Sequence, residues 1–464
     1  METEHSELPR VDVAVIGGGT GGYATALRAA QLGKRVALID RDERLGGTCL
    51  LRGCIPTKAL LRSAEVLDEV NRAKTWGIIA SGEPDWDGIL AFQAKIVDKL
   101  VKGLTHLVES RQIEVIRGDA VLVDGSAIEV DGRALAATDV VLASGSRPRL
   151  LPGVTPGERI VTSDEALTFP ALPSSVVIIG GGAIGLEFAS FYRSMGAEVT
   201  LLEALPRIAP LEDAEISDQL SRAFRRRRIA ATTGASVKDV TETADGVNVA
   251  YEVEGAEATT AAELCLVAIG RSPVTEGAGY EAAGVELDRG FVKVNDQLQT
   301  TAPHVWAVGD VAATPLQFAH VAFAEGIAVA ERIAGMDVPP VDYDGVPRVT
   351  FCTPEVASVG LTEDIARERG FDVTTQVFNM QGLGKANIVG EGGITKLVAD
   401  AGSDQILGVH MLGPHVTDLI SEGMLITNWE ATAGDVAALI HPHPTLGEAM
   451  GEAAMALAGK PLHT

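Results

Sequence analysis

The chain has 464 residues, 46% of them apolar but only 4% aromatic, and its 38 basic and 63 acidic residues give a net charge of −25. This length exceeds one ordinary hydrophobic core, so we expect two to four domains with aliphatic cores that suit buried parallel strands. The negative charge argues against a nucleic-acid or anionic-membrane partner and permits a basic protein partner.

Cysteine usage and hydropathy narrow the class further. Four cysteines in a chain of this length are typical of a cytoplasmic protein rather than a secreted disulfide framework. The first ten residues are polar and acidic, without the apolar run of a signal peptide. No run of about 18 uninterrupted apolar residues predicts a membrane helix. We expect a cytoplasmic protein that has no membrane partner and no metal site.

The first motif in chain order is a nucleotide-binding pattern over residues 11–40. Val11–Ile16 has the composition of a buried strand, a helical run covers Tyr23–Leu32, and a second strand, Arg35–Ile39, leads into Asp40. Glycines let the backbone approach a pyrophosphate at a helix N-terminus, and the acid accepts a hydrogen bond from a ribose hydroxyl. The alternative is a glycine-rich turn in another α/β unit, but the strand, helix and acid in register favour a dinucleotide site. The loop glycines at the fingerprint positions are Gly17, Gly19 and Gly22.

A cysteine pair follows within residues 46–58, which read GGTCLLRGCIPTK. Cys49 and Cys54 are five positions apart, and a regular helix would separate their Cα atoms by ~7.5 Å, beyond disulfide reach. The backbone must therefore bend between them, and Pro56 suits the first turn of a helix that starts just after Cys54. Two ordinary structural cysteines would be the simpler interpretation of the spacing alone. The neighbouring nucleotide patterns and a C-terminal His-x-His-Pro motif favour a redox pair.

A second nucleotide-binding pattern repeats the first over residues 175–203. Ser175–Ile179 and Val199–Leu202 are the predicted strands, and Glu203 takes the position of Asp40. A carboxylate at this position accepts from a free 2′-hydroxyl and repels a 2′-phosphate, so Glu203 predicts NAD rather than NADP. Arg207 could be interpreted as a phosphate ligand, although a solvated surface arginine is the simpler explanation. The glycines of this second loop are Gly180, Gly182 and Gly185.

Three further strands each lead into a pair of residues that includes a glycine. A long amphipathic helix is predicted over Ile89–Leu107, and a strand ending near Leu142 precedes Ser144 and Gly145. Similarly, Gly270 and Arg271 follow the strand at 264–269, and Gly309 and Asp310 follow the strand at 305–308.

The pattern of secondary structure changes near residue 347. Residues 347–464 alternate short strands and helices without a glycine fingerprint, which predicts an α+β domain. Within it, His443 stands between two prolines, five residues before Glu448, while His441 is the more ordinary histidine.

These motifs together resemble the FAD-dependent pyridine nucleotide–disulfide oxidoreductases. Residues 46–58 satisfy that family's pattern G-G-T-C-L-x-x-G-C-I-P-[ST]-K, and the segments 309–326, 353–360 and 441–448 resemble its second FAD segment and its dimerisation domain. The resemblance covers nearly the whole chain. It implies an α/β fold with two Rossmann-like domains, for FAD and NAD, and a C-terminal α+β dimerisation domain. The implied bounds are 1–148 and 272–346 for FAD, 149–271 for NAD, and 347–464 for dimerisation.

The resemblance is greatest to members that oxidise protein-bound dihydrolipoamide and reduce NAD⁺. It implies that a substrate thiolate attacks Cys49, that Cys54 lies against the flavin, and that His443, oriented by Glu448, takes the substrate proton. It also implies a homodimer whose active sites are shared across the interface, with lipoyl domains and acyltransferase (E2) subunits as partners. The further residues that it places at the cofactors are Thr48, Lys58, Ser144, Gly145, Glu187, Gly270, Arg271, Gly309, Asp310, Ala319 and His320.

Several alternatives share this fold. A glutathione reductase would use NADP and carry a basic residue in place of Glu203, and a mercuric reductase would add a C-terminal cysteine pair, yet no cysteine follows Cys352. A quinone reductase or transhydrogenase usually lacks one of the cysteines or His443. A purely structural subunit would not need intact redox residues. The chain departs from the usual family residues at Leu51-Arg52, where Asn-Val is common, and at Ser144, Val274 and Gly447.

Overall fold

The computed structural model describes residues 10–463, which form two units built from interleaved stretches of the chain. The first unit takes the residues up to 60 together with 87–149 and 271–343. The second takes 61–86, 150–270 and the residues from 344 onwards. Residues 1–9, for which the sequence predicts no signal-peptide run, lie outside the described residues.

The secondary structure alternates strands and helices, as the sequence predicts for an α/β fold. In chain order the strands are β1 (Val11–Ile16), β2 (Val36–Asp40), β3 (Glu114–Arg117), β4 (Ala120–Leu122), β5 (Ala127–Val130), β6 (Arg133–Leu142), β7 (Ser146–Pro148), β8 (Ile160–Val161), β9 (Ser175–Ile179), β10 (Glu198–Leu202), β11 (Ile229–Thr232), β12 (Ser236–Glu242), β13 (Val247–Val253), β14 (Ala256–Ala262), β15 (Leu264–Val267), β16 (Arg271–Pro273), β17 (Leu287–Asp288), β18 (Phe291–Val292), β19 (Val305–Ala307), β20 (Arg348–Thr350), β21 (Glu355–Gly360), β22 (Val373–Asn379), β23 (Ile394–Asp400) and β24 (Ile406–Gly413). The α-helices are α1 (Thr20–Gln31), α2 (Gly47–Arg52), α3 (Cys54–Arg72), α4 (Trp86–Ser110), α5 (Ser163–Ala166), α6 (Ala183–Ser194), α7 (Ala214–Arg226), α8 (Ala319–Ile333), α9 (Glu363–Glu368), α10 (Gly384–Val389), α11 (Val416–Asn428), α12 (Ala433–Ala437) and α13 (Glu448–Leu457).

The first unit is built on one sheet with strand order β3-β2-β1-β6-β5-β4, and β19 also pairs with β6. Strands β1, β2, β3, β6 and β19 are parallel, whereas β4 and β5 continue the sheet as antiparallel hairpins. The strand predicted to end near Leu142 begins at Arg133, because its first half pairs with β5 and only its second half lies in the parallel part.

Side chains of β1 alternate between two cores, as a strand buried on both faces requires. Val13 and Val15 pack into a cluster with residues of α1 and α8, whereas Ala14 and Ile16 pack into a cluster with β4 and β5. Helices α1 and α8 approach closely, since a Cβ placed on Gly326 would lie 2.5 Å from the Gly21 carbonyl oxygen.

The second unit contains a parallel sheet, β11-β10-β9-β15-β8, and an antiparallel sheet, β20-β21-β24-β23-β22. A third sheet of three antiparallel strands, β12-β13-β14, was not predicted, because its strands alternate exposed polar residues with few apolar ones. The antiparallel five-stranded sheet confirms the predicted change of architecture after residue 347. Within residues 10–463, no helix is both long enough and apolar enough to cross a membrane.

Candidate active site

The two cysteines of the predicted redox pair lie on consecutive helices of the first unit. Cys49 is in the short helix α2, and Cys54 is the first residue of α3. Gly53 separates the helices with φ −148° and ψ −112°, far from helical values, so the predicted bend is present. A Cβ on Gly53 would lie 2.9 Å from the Thr48 carbonyl oxygen, which disfavours any larger residue at this bend. Both cysteines are half-buried thiols in this structure.

The environment of the thiols keeps a proton on Cys49. A hydrogen bond with Cys54, together with burial and the negative charge of Cys54, raises the pKa of the Cys49 thiol well above its usual range. The positive charge of Lys58, four residues into α3, acts in the opposite direction on the Cys49 pKa. The two thiols therefore interact directly through this hydrogen bond.

The cysteine helix begins directly against the first glycine loop. The Gly46 N–H donates to the Gly18 carbonyl oxygen at 2.9 Å. A Cβ on Gly47 would lie 2.6 Å from the Gly19 Cα, so the two loops touch through backbone alone. A group bound on this glycine loop is therefore next to the start of α2, the helix that carries Cys49.

The first glycine loop has the geometry of a phosphate cradle. Gly17 has φ +110°, and a Cβ there would lie 2.2 Å from the Ala143 carbonyl oxygen. A Cβ on Gly22 would lie 1.7 Å from the Gly17 carbonyl oxygen, so only glycine permits this helix to approach this strand. A Cβ on Gly19 would meet no atom closer than 3.8 Å, and α1 starts at Thr20 with its N–H groups directed towards that loop. These features fit a bound pyrophosphate.

Asp40 closes the far side of this cradle. Its Oδ2 accepts from the Gly18 N–H at 2.9 Å, and its Oδ1 accepts from the Asp42 N–H at 3.0 Å. Burial, as the main cause, raises the pKa of the Asp40 carboxyl, although these hydrogen bonds act to lower it. The carboxylate is thus fixed at the end of β2, where a ribose hydroxyl of a dinucleotide would meet it.

A polar cluster in the same unit brings together three predicted residues, Thr48, Arg271 and Asp310, with Ser146. The Arg271 guanidinium donates to the Ser146 Oγ and carbonyl oxygen, both at 2.7 Å, and to the Thr48 Oγ1 at 3.3 Å. Ser146 Oγ donates to Asp310 Oδ2 at 2.5 Å, and Arg271 Nε lies 3.8 Å from the same oxygen. Sequence reasoning missed Ser146, although it follows Gly145 in the strand exit that it had singled out.

The remaining predicted residues of this unit contact the protein's own backbone and side chains. Ser144 Oγ donates to the Val274 carbonyl oxygen at 2.7 Å and accepts from the Tyr280 hydroxyl at 3.0 Å. Gly145 has φ +72° and Gly309 has φ +69°, values that favour glycine. Ala319 is the first residue of α8, and the exposed ring of the following residue, His320, stacks on Phe318 with the centroids 5.3 Å apart.

Glu325 is a buried carboxyl that the sequence did not single out as a site residue. Its Oε2 accepts from the Gly309 N–H at 2.6 Å, and its Oε1 accepts from the Tyr343 hydroxyl at 2.8 Å. Burial raises the pKa of Glu325 to about 7. Glu325 thereby holds the turn that carries Asp310. Its only sequence signal was its place in the 319–326 segment of the family pattern.

The second unit repeats the cradle with the same geometry. Gly180 has φ +111°, with a Cβ position 2.3 Å from the Ala268 carbonyl oxygen, and a Cβ on Gly185 would lie 1.9 Å from the Gly180 carbonyl oxygen. A Cβ on Gly182 would meet nothing within 4 Å. The buried Glu203 accepts from the Gly181 N–H at 2.6 Å and from the Leu205 N–H at 2.7 Å, as Asp40 does in the first unit.

The sequence also singled out Glu187, Gly270 and Arg207 in the second unit. Glu187 is buried on α6, where its Oε1 accepts from the Phe351 N–H at 3.0 Å; Lys58, which the resemblance places near it, belongs to the first unit. Gly270 has φ +106° at the exit of the second parallel sheet. Arg207 Nη2 lies 3.9 Å from Asp364 Oδ2, and both side chains are partly exposed, so the two residues form an ion pair at the protein surface.

His443 and Glu448 form the predicted dyad in the second unit. The His443 Nδ1 lies 2.8 Å from Glu448 Oε1, and Glu448 Oε2 accepts from the Thr445 N–H at 2.9 Å. Partial burial acts to raise the Glu448 pKa, but the hydrogen bonds from His443 and Thr445 hold it below its usual value. The His443 side chain is 75% exposed, which leaves its Nε2 on the surface, whereas His441 is mostly buried against Glu422 at 2.7 Å.

Comparison with known proteins agrees with this geometry. The model of the family described as pyridine nucleotide-disulphide oxidoreductase matches residues 11–326, and the model of its dimerisation domain matches residues 346–454. The chain belongs to the pyridine nucleotide-disulphide oxidoreductases. The family resemblance noted from the sequence, and the fold class it implies, are therefore confirmed.

Individual relatives cover nearly the whole chain. It is 43% identical to the dihydrolipoyl dehydrogenase of Bacillus subtilis, over 97% of this chain and 99% of that protein. It is 42% identical to the dihydrolipoyl dehydrogenase of Zymomonas mobilis, over 97% and 99% respectively. Among solved structures, LpdA from Mycobacterium tuberculosis superposes with a TM-score of 0.88 at 26% identity, over 97% of this chain and 100% of that one. The flavoprotein disulfide reductase RclA from Escherichia coli gives 0.87 at 27%, with the same coverage.

FAD and NAD are the cofactors of this family, and the two glycine cradles fit them. Each cradle has two glycines packed so tightly that a Cβ would overlap backbone, and one, Gly19 or Gly182, with space above it. Each also ends at a carboxylate that backbone N–H groups hold in place. Two dinucleotides per chain were predicted from the sequence, and the repeated geometry agrees with that number.

Proposed function

We propose that the chain is a dihydrolipoyl dehydrogenase, which oxidises protein-bound dihydrolipoamide to lipoamide and reduces NAD⁺ to NADH. The observation that carries the proposal is the Cys49–Cys54 pair, bent at Gly53 and starting directly on the first glycine loop. The His443–Glu448 dyad, whose histidine ring is exposed, supplies the proton acceptor that dithiol oxidation needs. Two relatives named dihydrolipoyl dehydrogenase are 43% and 42% identical to this chain, each over 97% of its length.

The cysteine pair carries out thiol–disulfide exchange, starting from its disulfide form. A substrate thiolate attacks Cys49 Sγ, the Cys49–Cys54 bond breaks, and Cys54 leaves as a thiolate. The second substrate thiol, once deprotonated, attacks the substrate sulfur of the mixed disulfide. Lipoamide is then released, Cys49 takes a proton, and the chain holds the two electrons as a dithiol. FAD held on the first glycine loop would supply the two-electron acceptor that connects this dithiol to NAD⁺.

His443 is the proton acceptor in this scheme, and Glu448 is its positioning residue. The Nδ1 hydrogen bond to Glu448 fixes the ring and leaves Nε2 to take a proton from a substrate thiol. Because the His443 ring is exposed in a region that matches a dimerisation domain, we propose that it serves the cysteine pair of a partner chain. The protein would then be a homodimer with two active sites shared across the interface.

The other predicted residues have cofactor roles in this proposal. The FAD set comprises Gly17, Gly19, Gly22, Asp40, Thr48, Lys58, Ser144, Gly145, Arg271, Gly309, Asp310, Ala319 and His320, and the NAD set comprises Gly180, Gly182, Gly185, Glu187, Glu203 and Gly270. Residues 1–148 and 272–346 would form the FAD-binding domain, 149–271 the NAD-binding domain and 347–464 the dimerisation domain. The partners would be lipoyl domains and acyltransferase (E2) subunits. The chain would serve as the E3 component of 2-oxoacid dehydrogenase complexes, of glycine cleavage complexes, or of both, in the cytoplasm.

A substrate panel tests this function. The purified protein, loaded with FAD, is assayed for NADH formation from dihydrolipoamide and NAD⁺, and for NADH or NADPH oxidation with glutathione disulfide or a quinone. We expect dihydrolipoamide with NAD⁺ to give the highest kcat/KM by at least about tenfold. A higher kcat/KM with NADPH and glutathione disulfide, or with a quinone and no dithiol, would indicate that the chain has the activity of a different member of the family.

A further inference from the structure

The second residue of the Leu51-Arg52 departure makes a specific contact. Arg52 is the last residue of α2, between the two cysteines, and its Nη2 forms an ion pair with Asp42 Oδ2. Asp42 lies two residues after Asp40, in the loop that follows β2. Arg52 therefore joins the helix of the redox pair to the loop of the carboxylate that faces a bound ribose.

Asp42 is held on three sides. Its carboxylate binds Arg52, its carbonyl oxygen accepts from Arg117 Nη1 at 2.7 Å, and its N–H donates to Asp40 Oδ1 at 3.0 Å. The last of these bonds fixes the orientation of the Asp40 carboxylate, whose other oxygen accepts from the Gly18 N–H. A shift of Asp42 would therefore change the orientation of the Asp40 carboxylate and, through its hydrogen bond with Gly18, the position of the glycine loop.

The two ends of α2 are thus both attached to the first cradle. The N-terminal end is attached through Gly46 and Gly47, which touch the glycine loop by backbone alone. The C-terminal end is attached through the Arg52–Asp42 ion pair. The first attachment needs only glycines, but the second depends on one particular side chain.

We propose that Arg52 is a positioning residue for FAD: it holds Asp42, and through it Asp40, in the orientation that binds the adenosine ribose. The inference rests on the proposed FAD site of the first unit. It also explains why an arginine can replace the usual valine at this position: the ion pair adds a connection between the redox helix and the ribose loop.

An ordinary surface role makes a different prediction. An arginine at a helix C-terminus stabilises the helix dipole, and a half-exposed ion pair stabilises the fold slightly, without any connection to FAD. Arg44 offers a matched comparison, because it forms a surface ion pair with Asp98 at 2.6 Å and its side chain is 45% exposed, against 42% for Arg52. Arg44 itself lies two residues after Asp42 in the same loop, but its partner lies on α4, so its ion pair does not hold Asp42.

The test measures FAD affinity by a double-mutant cycle. Apoprotein is prepared for wild type, Arg52→Val, Asp42→Asn, the double variant and Arg44→Val, and FAD fluorescence quenching gives each Kd. We expect the Kd to rise about threefold to fivefold for each single variant, since a partly exposed ion pair contributes up to about 1 kcal/mol. The double variant should equal the single ones, because both remove the same ion pair. Arg44→Val should bind FAD like wild type, and about 0.5 M salt should reduce the differences.

Two results would overturn the inference. One is an Arg52→Val protein that binds FAD with the wild-type Kd while its apoprotein unfolds at a lower temperature, which would indicate a structural role only. The other is additive effects of Arg52→Val and Asp42→Asn, or an equal loss in Arg44→Val. If Arg52→Val does not fold, the comparison of Asp42→Asn with Arg44→Val still decides the question. Failure of the proposed function is distinguishable, because the substrate panel would then show another activity while the order of the FAD Kd values among these variants would stay the same.

Discussion

Mixed dimers of two inactive chains test whether His443 serves the cysteines of a partner chain. One chain carries Cys49→Ser and the other carries His443→Gln. In a shared-site dimer, one of the two sites receives both lesions and the other receives neither. If each chain completed its own site, both sites of the mixed dimer would carry one lesion.

The expected magnitude follows from the number of sites and the chemistry of the dyad. A general base contributes about 10²–10⁴-fold, so the His443→Gln homodimer should retain at most about 1% of wild-type turnover with dihydrolipoamide. The Cys49→Ser homodimer lacks the sulfur that the substrate attacks. The mixed dimer should therefore have about half of the wild-type activity. Exposure of the His443 ring, at 75%, is the structural reason to expect this.

The assay uses two affinity tags to purify the mixed dimer and measures dihydrolipoamide-dependent NADH formation. The mirror control pairs a wild-type chain with a chain carrying both Cys49→Ser and His443→Gln. This control should be inactive if sites are shared and half-active if they are not. A mixed dimer at the level of the mutant homodimers, together with a half-active control, would refute the shared site.

Three further predictions concern buried charges. Glu203→Gln keeps an acceptor for the Gly181 N–H but removes the charge that opposes a 2′-phosphate. The ratio of kcat/KM for NAD⁺ to kcat/KM for NADP⁺ should therefore fall by about tenfold or more, and an unchanged ratio would contradict this role of Glu203. Lys396 Nζ is buried between Asp213 at 2.9 Å and Glu363 at 2.7 Å. Lys396→Met should therefore lower the free energy of unfolding, measured by urea titration, by about 3–5 kcal/mol, and a loss below about 1 kcal/mol would be inconsistent with a buried ion pair. Glu325 has its pKa raised to about 7 by burial, so the folded apoprotein binds a proton that the unfolded chain releases near pH 4, and stability from this group is lost as the pH rises to about 7. Glu325→Gln should flatten that part of the stability profile, and an identical profile would argue against the raised pKa.

The motifs of this chain were predictable because their physics is local. A glycine that meets a carbonyl oxygen, as Gly17 and Gly22 do, leaves a signature in the sequence, and so does an acid at the end of the next strand. The bend at Gly53 could be derived from the cysteine spacing and the reach of a disulfide. These signals placed both cradles and the cysteine pair.

Contacts distant in sequence could not be predicted in this way. The buried ion pair between Asp213 and Lys396 spans 183 residues, and neither residue has a local pattern that marks it as buried. The partner of Arg52 was equally hidden, because Asp42 looks like any polar residue of a surface loop. Glu325 sits on an apolar helix where only the fold shows that its carboxyl is buried against the Gly309 turn.

Electron entry through the cysteine pair is the central claim, and Cys49→Ser tests it most directly. The measurement compares dihydrolipoamide-dependent NADH formation with NADH-dependent reduction of a small artificial acceptor, in the FAD-loaded variant and in wild type. The account predicts that the first activity falls to background while the second persists, because only the first needs the sulfur that the substrate attacks. A Cys49→Ser protein that still forms NADH from dihydrolipoamide would contradict it.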